Sequence, residues 1–157
     1  MKSAKSLIFF MDLARKGSLV EGRLVAYDNI KCKVDQQYIA TSGCQNNQRW
    51  DSQDDRGRGP IPRNDQVKLD HYTVRTKPIY LPQRGIEGNF YKIDPHLVNI
   101  WGKTRGDFGI HFDANAPGSA GCVVIRNKPA WEAFQQMMKN YELAGLKTVP
   151  LIVEYQR

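Results

Sequence analysis

The 157-residue chain contains no apolar run approaching the roughly 20 residues that a membrane-spanning helix needs. Its leading apolar stretch, Leu7 to Met11, stops at Asp12. Lys2 and Lys5 flank that stretch as they would in a secretory leader, but the apolar length and the small-residue cleavage site are both missing, so a standard leader is not expected. Cysteine is scarce. Cys32, Cys44 and Cys122 are too few for a disulfide framework and include no close pair of the kind that clamps zinc. An odd number leaves at least one free thiol. Cys32 and Cys44 could bridge in an oxidising compartment, and two buried thiols is the simpler expectation. His71 and His96 are dispersed without metal-ligand spacing and are expected to be structural or exposed. Internal repeats and low-complexity tracts are absent, which excludes a solenoid.

What is present is an ordinary globular composition, 41% apolar and 10% aromatic, sufficient to bury the core of one domain spanning residues 1–157. Basic residues outnumber acidic ones 23 to 16, giving a formal charge of +7. A polyanionic partner follows from that excess: nucleic acid, an anionic membrane surface or a bacterial cell wall. No standard nucleic-acid motif appears, and no nucleic-acid partner is expected.

The spacing of short β-branched and aromatic runs predicts a mostly β fold. Strands are expected at Arg23 to Asp28, Tyr38 to Ser42, Tyr72 to Arg75, Ile79 to Leu81, Phe90 to Ile93, Leu97 to Trp101, Phe108 to Phe112, Cys122 to Arg126 and Val149 to Tyr155. The first two should pair. Asn46 to Pro62, dense in turn formers and charge, reads as one long surface loop. One C-terminal helix is clear: Trp131, Phe134, Met137, Met138 and Tyr141 share a face, Asn127 is placed to cap it, Pro129 lies in its first turn and Gly145 ends it. Leu7 to Leu19, with Leu13 and Ala14 continuing an apolar face, is expected to form a second helix.

Chemistry concentrates in Arg105 to Arg126, RGDFGIHFDANAPGSAGCVVIR, where a strand-borne His111 precedes Cys122 by eleven residues. A neutral thiol attacks a carbonyl poorly, and a neighbouring imidazole that takes its proton makes it a nucleophile. Two adjacent antiparallel strands would present both side chains on one side. The small residues Gly118, Ser119, Ala120 and Gly121 let backbone approach a substrate, with the N–H of Gly121 or Cys122 available as an oxyanion donor. Asp113 is a candidate to orient His111, but adjacent strand residues face opposite ways.

These residues resemble the L,D-transpeptidase catalytic domain, the YkuD-like family, in which a strand-borne His is followed by a Ser-x-Gly-Cys run entering a strand. Here the match is His111 with Ser119, Ala120, Gly121 and Cys122. Arg105, Phe108, Ile110 and Gly118 extend it toward the compact branch used as delivered antibacterial effectors, and Gly59-Pro60-Ile61-Pro62 resembles the family's Pro-containing turn. The resemblance covers about residues 20–155, with its specific part in about 20 of them. It implies a β-sandwich or mixed sheet and a thioester on Cys122, formed from peptidoglycan stem peptides without a cofactor. His111 would be base and then acid, with the Phe112 carbonyl as third member. Gly121 would be the oxyanion donor, and Ser119, Gly118, Arg105 and Arg126 would contact substrate, either arginine binding the donor's terminal carboxylate. The acceptor decides between transpeptidation, exchange of D-amino acids and carboxypeptidase action. Action in the periplasm or cell wall is implied, with delivery machinery or a cognate immunity protein as further partners. The alternatives are a non-catalytic basic wall-binding module and a phage-type lysin. The chain departs from the family pattern where Phe112 replaces the usual Gly, Ala120 replaces His, and Val124 replaces Arg.

Overall fold

A computed structural model of the chain describes residues 3–13, 18–114 and 117–157. Its elements are β1 (Lys5–Asp12), β2 (Gly22–Asp28), β3 (Lys33–Ser42), β4 (Tyr72–Arg75), β5 (Ile79–Leu81), β6 (Gly88–Asp94), β7 (Leu97–Ile100), β8 (Lys103–Gly106), β9 (Gly109–Phe112), β10 (Val123–Ile125), α1 (Lys128–Leu143) and β11 (Thr148–Gln156). The fold is mostly β with one C-terminal helix. A nine-stranded mixed sheet runs β4-β11-β1-β2-β3-β10-β9-β6-β5, and an additional β4–β6 pairing joins its ends, so every strand except β5 belongs to a closed ring. β1 and β11 are parallel, as are β9 and β10; the other pairs are antiparallel. β7 and β8 form a separate hairpin.

Period-two burial explains most of the ring. β11 alternates buried and less buried residues from Val149 to Tyr155. β1 buries Leu7, Phe9 and Met11 while Phe10 stays exposed, an alternation that no helix would produce. This corrects the expectation of a helix from Leu7: the segment is a strand held between β2 and β11. Ala14, assigned to that helix's apolar face, lies outside the described residues.

The α1 face is the expected one. Asn127 Oδ1 accepts the Ala130 N–H at 2.9 Å, and Trp131, Phe134, Met137, Met138 and Tyr141 are all buried. Phe134 meets Tyr91 of β6 and Tyr38 of β3 edge to face, at centroid distances of 5.3 and 5.6 Å. The helix then ends before Gly145, whose φ of +88° suits glycine.

Residues 46–62 are only in part the surface loop expected from their polarity: Asn46, Arg49, Asp51 and 56–58 are exposed, but the rest is largely drawn inward. Gln53 and Ile61 are completely buried, and two tyrosine hydroxyls from the sheet donate to this segment, Tyr72 to the Pro62 carbonyl at 2.6 Å and Tyr155 to that of Ile61. Backbone carbonyls of a polar loop are buried at low cost when they receive such donors. The cysteines also differ from expectation: all three are free, Cys32 is exposed and Cys44 half-buried. Cys32 precedes β3 and Cys44 follows it, so a strand about 30 Å long separates them and no bridge can form.

Candidate active site

β9 and β10 run parallel, with Val123 opposite Ile110, Val124 opposite His111 and Ile125 opposite Phe112. The antiparallel hairpin expected for this pair is therefore replaced by a parallel pairing, in which β10 starts beside the starting end of β9. Ile110, Val123 and Ile125 belong to the core. By the pleat, His111 and Val124 face the other way, and Cys122, two residues before Val124, lies on their side. Its sulfur is 3.8 Å from the Asp107 carbonyl and receives a hydrogen bond from the Gly109 N–H. His111 and Cys122 are thus diagonal neighbours on one face of two adjacent strands.

His111 is nearly buried, at 6% exposure. Its Nδ1 lies 2.8 Å from the Phe112 carbonyl, which can only accept, so Nδ1 carries the proton and Nε2 keeps its lone pair. The ring stacks on Phe90 of β6, centroids 6.0 Å apart and planes 24° apart. Burial holds the imidazole below its ordinary pKa of 6.5, opposed by the Phe112 hydrogen bond and by Asp113. Burial likewise pushes the Cys122 thiol up to about 11, against the smaller pull of the Gly109 N–H, Lys92 and Arg105. Both partners are therefore neutral at rest.

The turn before Cys122 is held from several sides. Gly121 has φ +132°, and a Cβ there would sit 2.6 Å from the Arg105 guanidinium and 2.9 Å from the Phe108 ring. Gly118 has φ +90°, and its Cβ would meet the Gly43 carbonyl at 2.6 Å. The Ser119 hydroxyl donates to the Cys122 carbonyl at 2.6 Å and accepts from the N–H groups of Gly43 and Gly121 at 3.1 and 3.3 Å. Ser119 and Gly118 thus shape the turn, where substrate contacts were expected of them. The Gly121 N–H is committed inside the turn, away from the oxyanion role.

No protein-family model matches this chain, and no curated protein matches it.

The two arginines expected to bind a substrate carboxylate are otherwise engaged. Arg105 is 2% exposed and donates to the carbonyls of Gln53, Pro60, Gly59 and Ala120 at 2.8, 2.5, 3.0 and 3.1 Å. It ties the buried loop to the turn that carries Cys122. Arg126 donates to Glu21 at 2.9 Å and to the nearly buried Asp113 carboxylate. Asp113 in turn accepts the Gly118 N–H at 3.3 Å, so it braces the crossover while the Phe112 carbonyl orients His111.

Four residues that sequence reasoning missed complete the face: Phe90, Lys92, Asp107 and Gly109. Gly109 has a legible signal, being a glycine within the expected strand 108–112, two residues before His111, which marks close approach. A Cβ there would lie 2.1 Å from the Phe90 ring. Lys92 is the register partner of Gly109 on β6. Its ammonium is 2.9 Å from His96 Nδ1 and 4.0 Å from the Asp107 carboxylate. Among the described residues no group of three or more His, Cys, Asp or Glu side chains could hold a metal ion.

Proposed function

We propose that the protein is a cysteine acyltransferase acting on peptidoglycan stem peptides, with Cys122 as nucleophile and His111 as base. The observation that carries this reading is the placement of both side chains on one face of β9 and β10, with Nδ1 of His111 bonded to the Phe112 carbonyl at 2.8 Å. That bond leaves Nε2 as the proton acceptor. As the sulfur adds to the carbonyl carbon of the residue before a terminal D-amino acid, its proton passes to Nε2. The tetrahedral intermediate collapses, the C–N bond breaks, and its electron pair stays on the leaving amine, which takes the proton back from His111. A thioester on Cys122 remains. An acceptor amine or water then adds to that thioester, giving up a proton to Nε2, and the thiol is regenerated.

The motif formed by His111, Ser119, Ala120, Gly121 and Cys122 supplies the substrate class, since it resembles the L,D-transpeptidase signature. A diaminopimelate amine as acceptor yields a cross-link, a D-amino acid yields exchange, and water yields carboxypeptidase action. The formal charge of +7 supports adsorption to anionic cell wall. Among the described residues no helix is long and apolar enough to cross a membrane. Action in the periplasm or wall, reached through delivery machinery, with a cognate immunity protein as a further partner, belongs to the same proposal.

The test is incubation with tetrapeptide and pentapeptide muropeptides, followed by mass spectrometry, beside Cys122→Ala. Expected is loss or replacement of the terminal D-amino acid by the wild type and none by the variant. Retained binding to peptidoglycan without turnover would instead support a basic wall-binding module, and cleavage inside the stem a lysin.

A further inference from the structure

The proposed reaction requires recognition of a free carboxylate, and the arginines that sequence suggested for it are both committed to the protein's own groups. We infer that Lys92, assisted by His96, is the anchor for the terminal carboxylate of the donor peptide and makes the enzyme specific for a free carboxyl terminus. This rests on the proposed acyl transfer at Cys122 and names how that site selects its substrate.

Placement carries the argument. β6 lies beside β9, with Lys92 opposite Gly109, the residue whose N–H meets the Cys122 sulfur. Lys92 is therefore on the catalytic face, next to the pair's own strand. One residue, Asp107, touches both ends of the site: its carbonyl is 3.8 Å from the thiol, and its carboxylate is 4.0 Å from the Lys92 ammonium and 3.4 Å from His96 Nε2. A single residue, Asp107, therefore borders both the thiol and the ammonium. The carboxylate of a leaving terminal residue is likewise one residue removed from the scissile carbonyl.

The second observation is that a carboxylate already occupies this place. Asp107 has an exposed side chain, 82% accessible, on a backbone with φ +60°, and its carboxylate faces the Lys92 and His96 nitrogens at distances longer than a good charge-assisted bond. It marks where the donor's carboxylate binds, on a side chain that solvent already surrounds. The ammonium, with three donors, keeps its 2.9 Å contact to His96 Nδ1 and has capacity for two more acceptors.

The experiment compares two tetrapeptide donors, one with a free terminal carboxylate and one amidated there, on wild type, Lys92→Gln, Lys92→Arg and Asp107→Asn, each checked for its fold by circular dichroism and thermal melting. Wild type should prefer the acid over the amide in kcat/KM by about tenfold or more, the scale of one charge-assisted contact. Lys92→Gln should bring that ratio to near one by losing only on the acid donor, mainly through KM. Lys92→Arg should retain most of the preference, and Asp107→Asn should lower KM for the acid donor by removing the competing carboxylate. An unchanged ratio in a folded Lys92→Gln, or equal losses on both donors, overturns the anchor while leaving the Cys122 reaction standing. No turnover of either donor by wild type overturns the reaction itself, and the anchor with it.

Discussion

At the scale of single residues, the face of β9 and β10 carries two neutral groups as diagonal neighbours. A thiol pushed up to about 11 by burial and an imidazole held below 6.5 by burial do not form a resting ion pair; in the proposed reaction the proton passes as the sulfur attacks. The sign of the pH dependence follows. His111 accepts a proton only while neutral, and a depressed pKa keeps it neutral to lower pH than an ordinary histidine. We expect the acid-limb half-maximal point of kcat/KM to lie below 6.5. A half-maximal point above 6.5 would contradict the buried, neutral base. The pair itself was legible in sequence, because a Cys after small residues and a His on a strand are local patterns. The fates of Arg105 and Arg126 were not. Whether an arginine meets substrate or its own backbone depends on loops brought together from residues 53–60 and 113–120, which no local pattern encodes.

At the scale of elements, the decisive piece is the segment from 46 to 62 that closes over one end of the core. Its polarity argued for the surface, yet its carbonyls are buried because Arg105, Tyr72 and Tyr155 donate to them. A long-range donor overrides composition. Replacing Arg105 by Met should leave those carbonyls without their charged partner and lower stability by about 3 kcal/mol, given the usual strength of hydrogen bonds to charged groups. For a domain of this size that is a fall in Tm of roughly 6–12 °C, measurable by circular dichroism. Arg105→Lys should recover only part of it, since an ammonium cannot span four carbonyls. A change of only about a degree in Arg105→Met would mean that the loop holds itself. The parallel pairing of β9 and β10 was missed for a similar reason: both strands have the same residues in either orientation, and only the crossover through Asp113 and Gly118 decides. β1 was missed because five consecutive apolar residues carry no period.

At the scale of the whole molecule, composition and spacing predicted a mostly β domain with a clear C-terminal helix, and that is its architecture, with a strand in place of the second helix expected from Leu7. The closure of the sheet through β4 and β6 was beyond reach, since it depends on long-range pairing. The charge of +7 acts at this scale as well. Adsorption of the protein to anionic wall polymers should weaken steeply as salt rises, the Debye length shrinking from about 10 Å at 0.1 M to about 3 Å at 1 M. Cosedimentation with isolated sacculi at a series of salt concentrations measures this, and salt-independent binding would point to a shape-specific contact instead. The central claim, a covalent acyl-enzyme on Cys122, is tested most directly by acid-quenching the protein with a tetrapeptide donor and recording its intact mass. The account expects an added mass equal to the donor minus its terminal D-amino acid, mapped to Cys122 and absent in Cys122→Ala. An unmodified Cys122 while the donor is turned over, or an adduct on Cys32 or Cys44 instead, would contradict it.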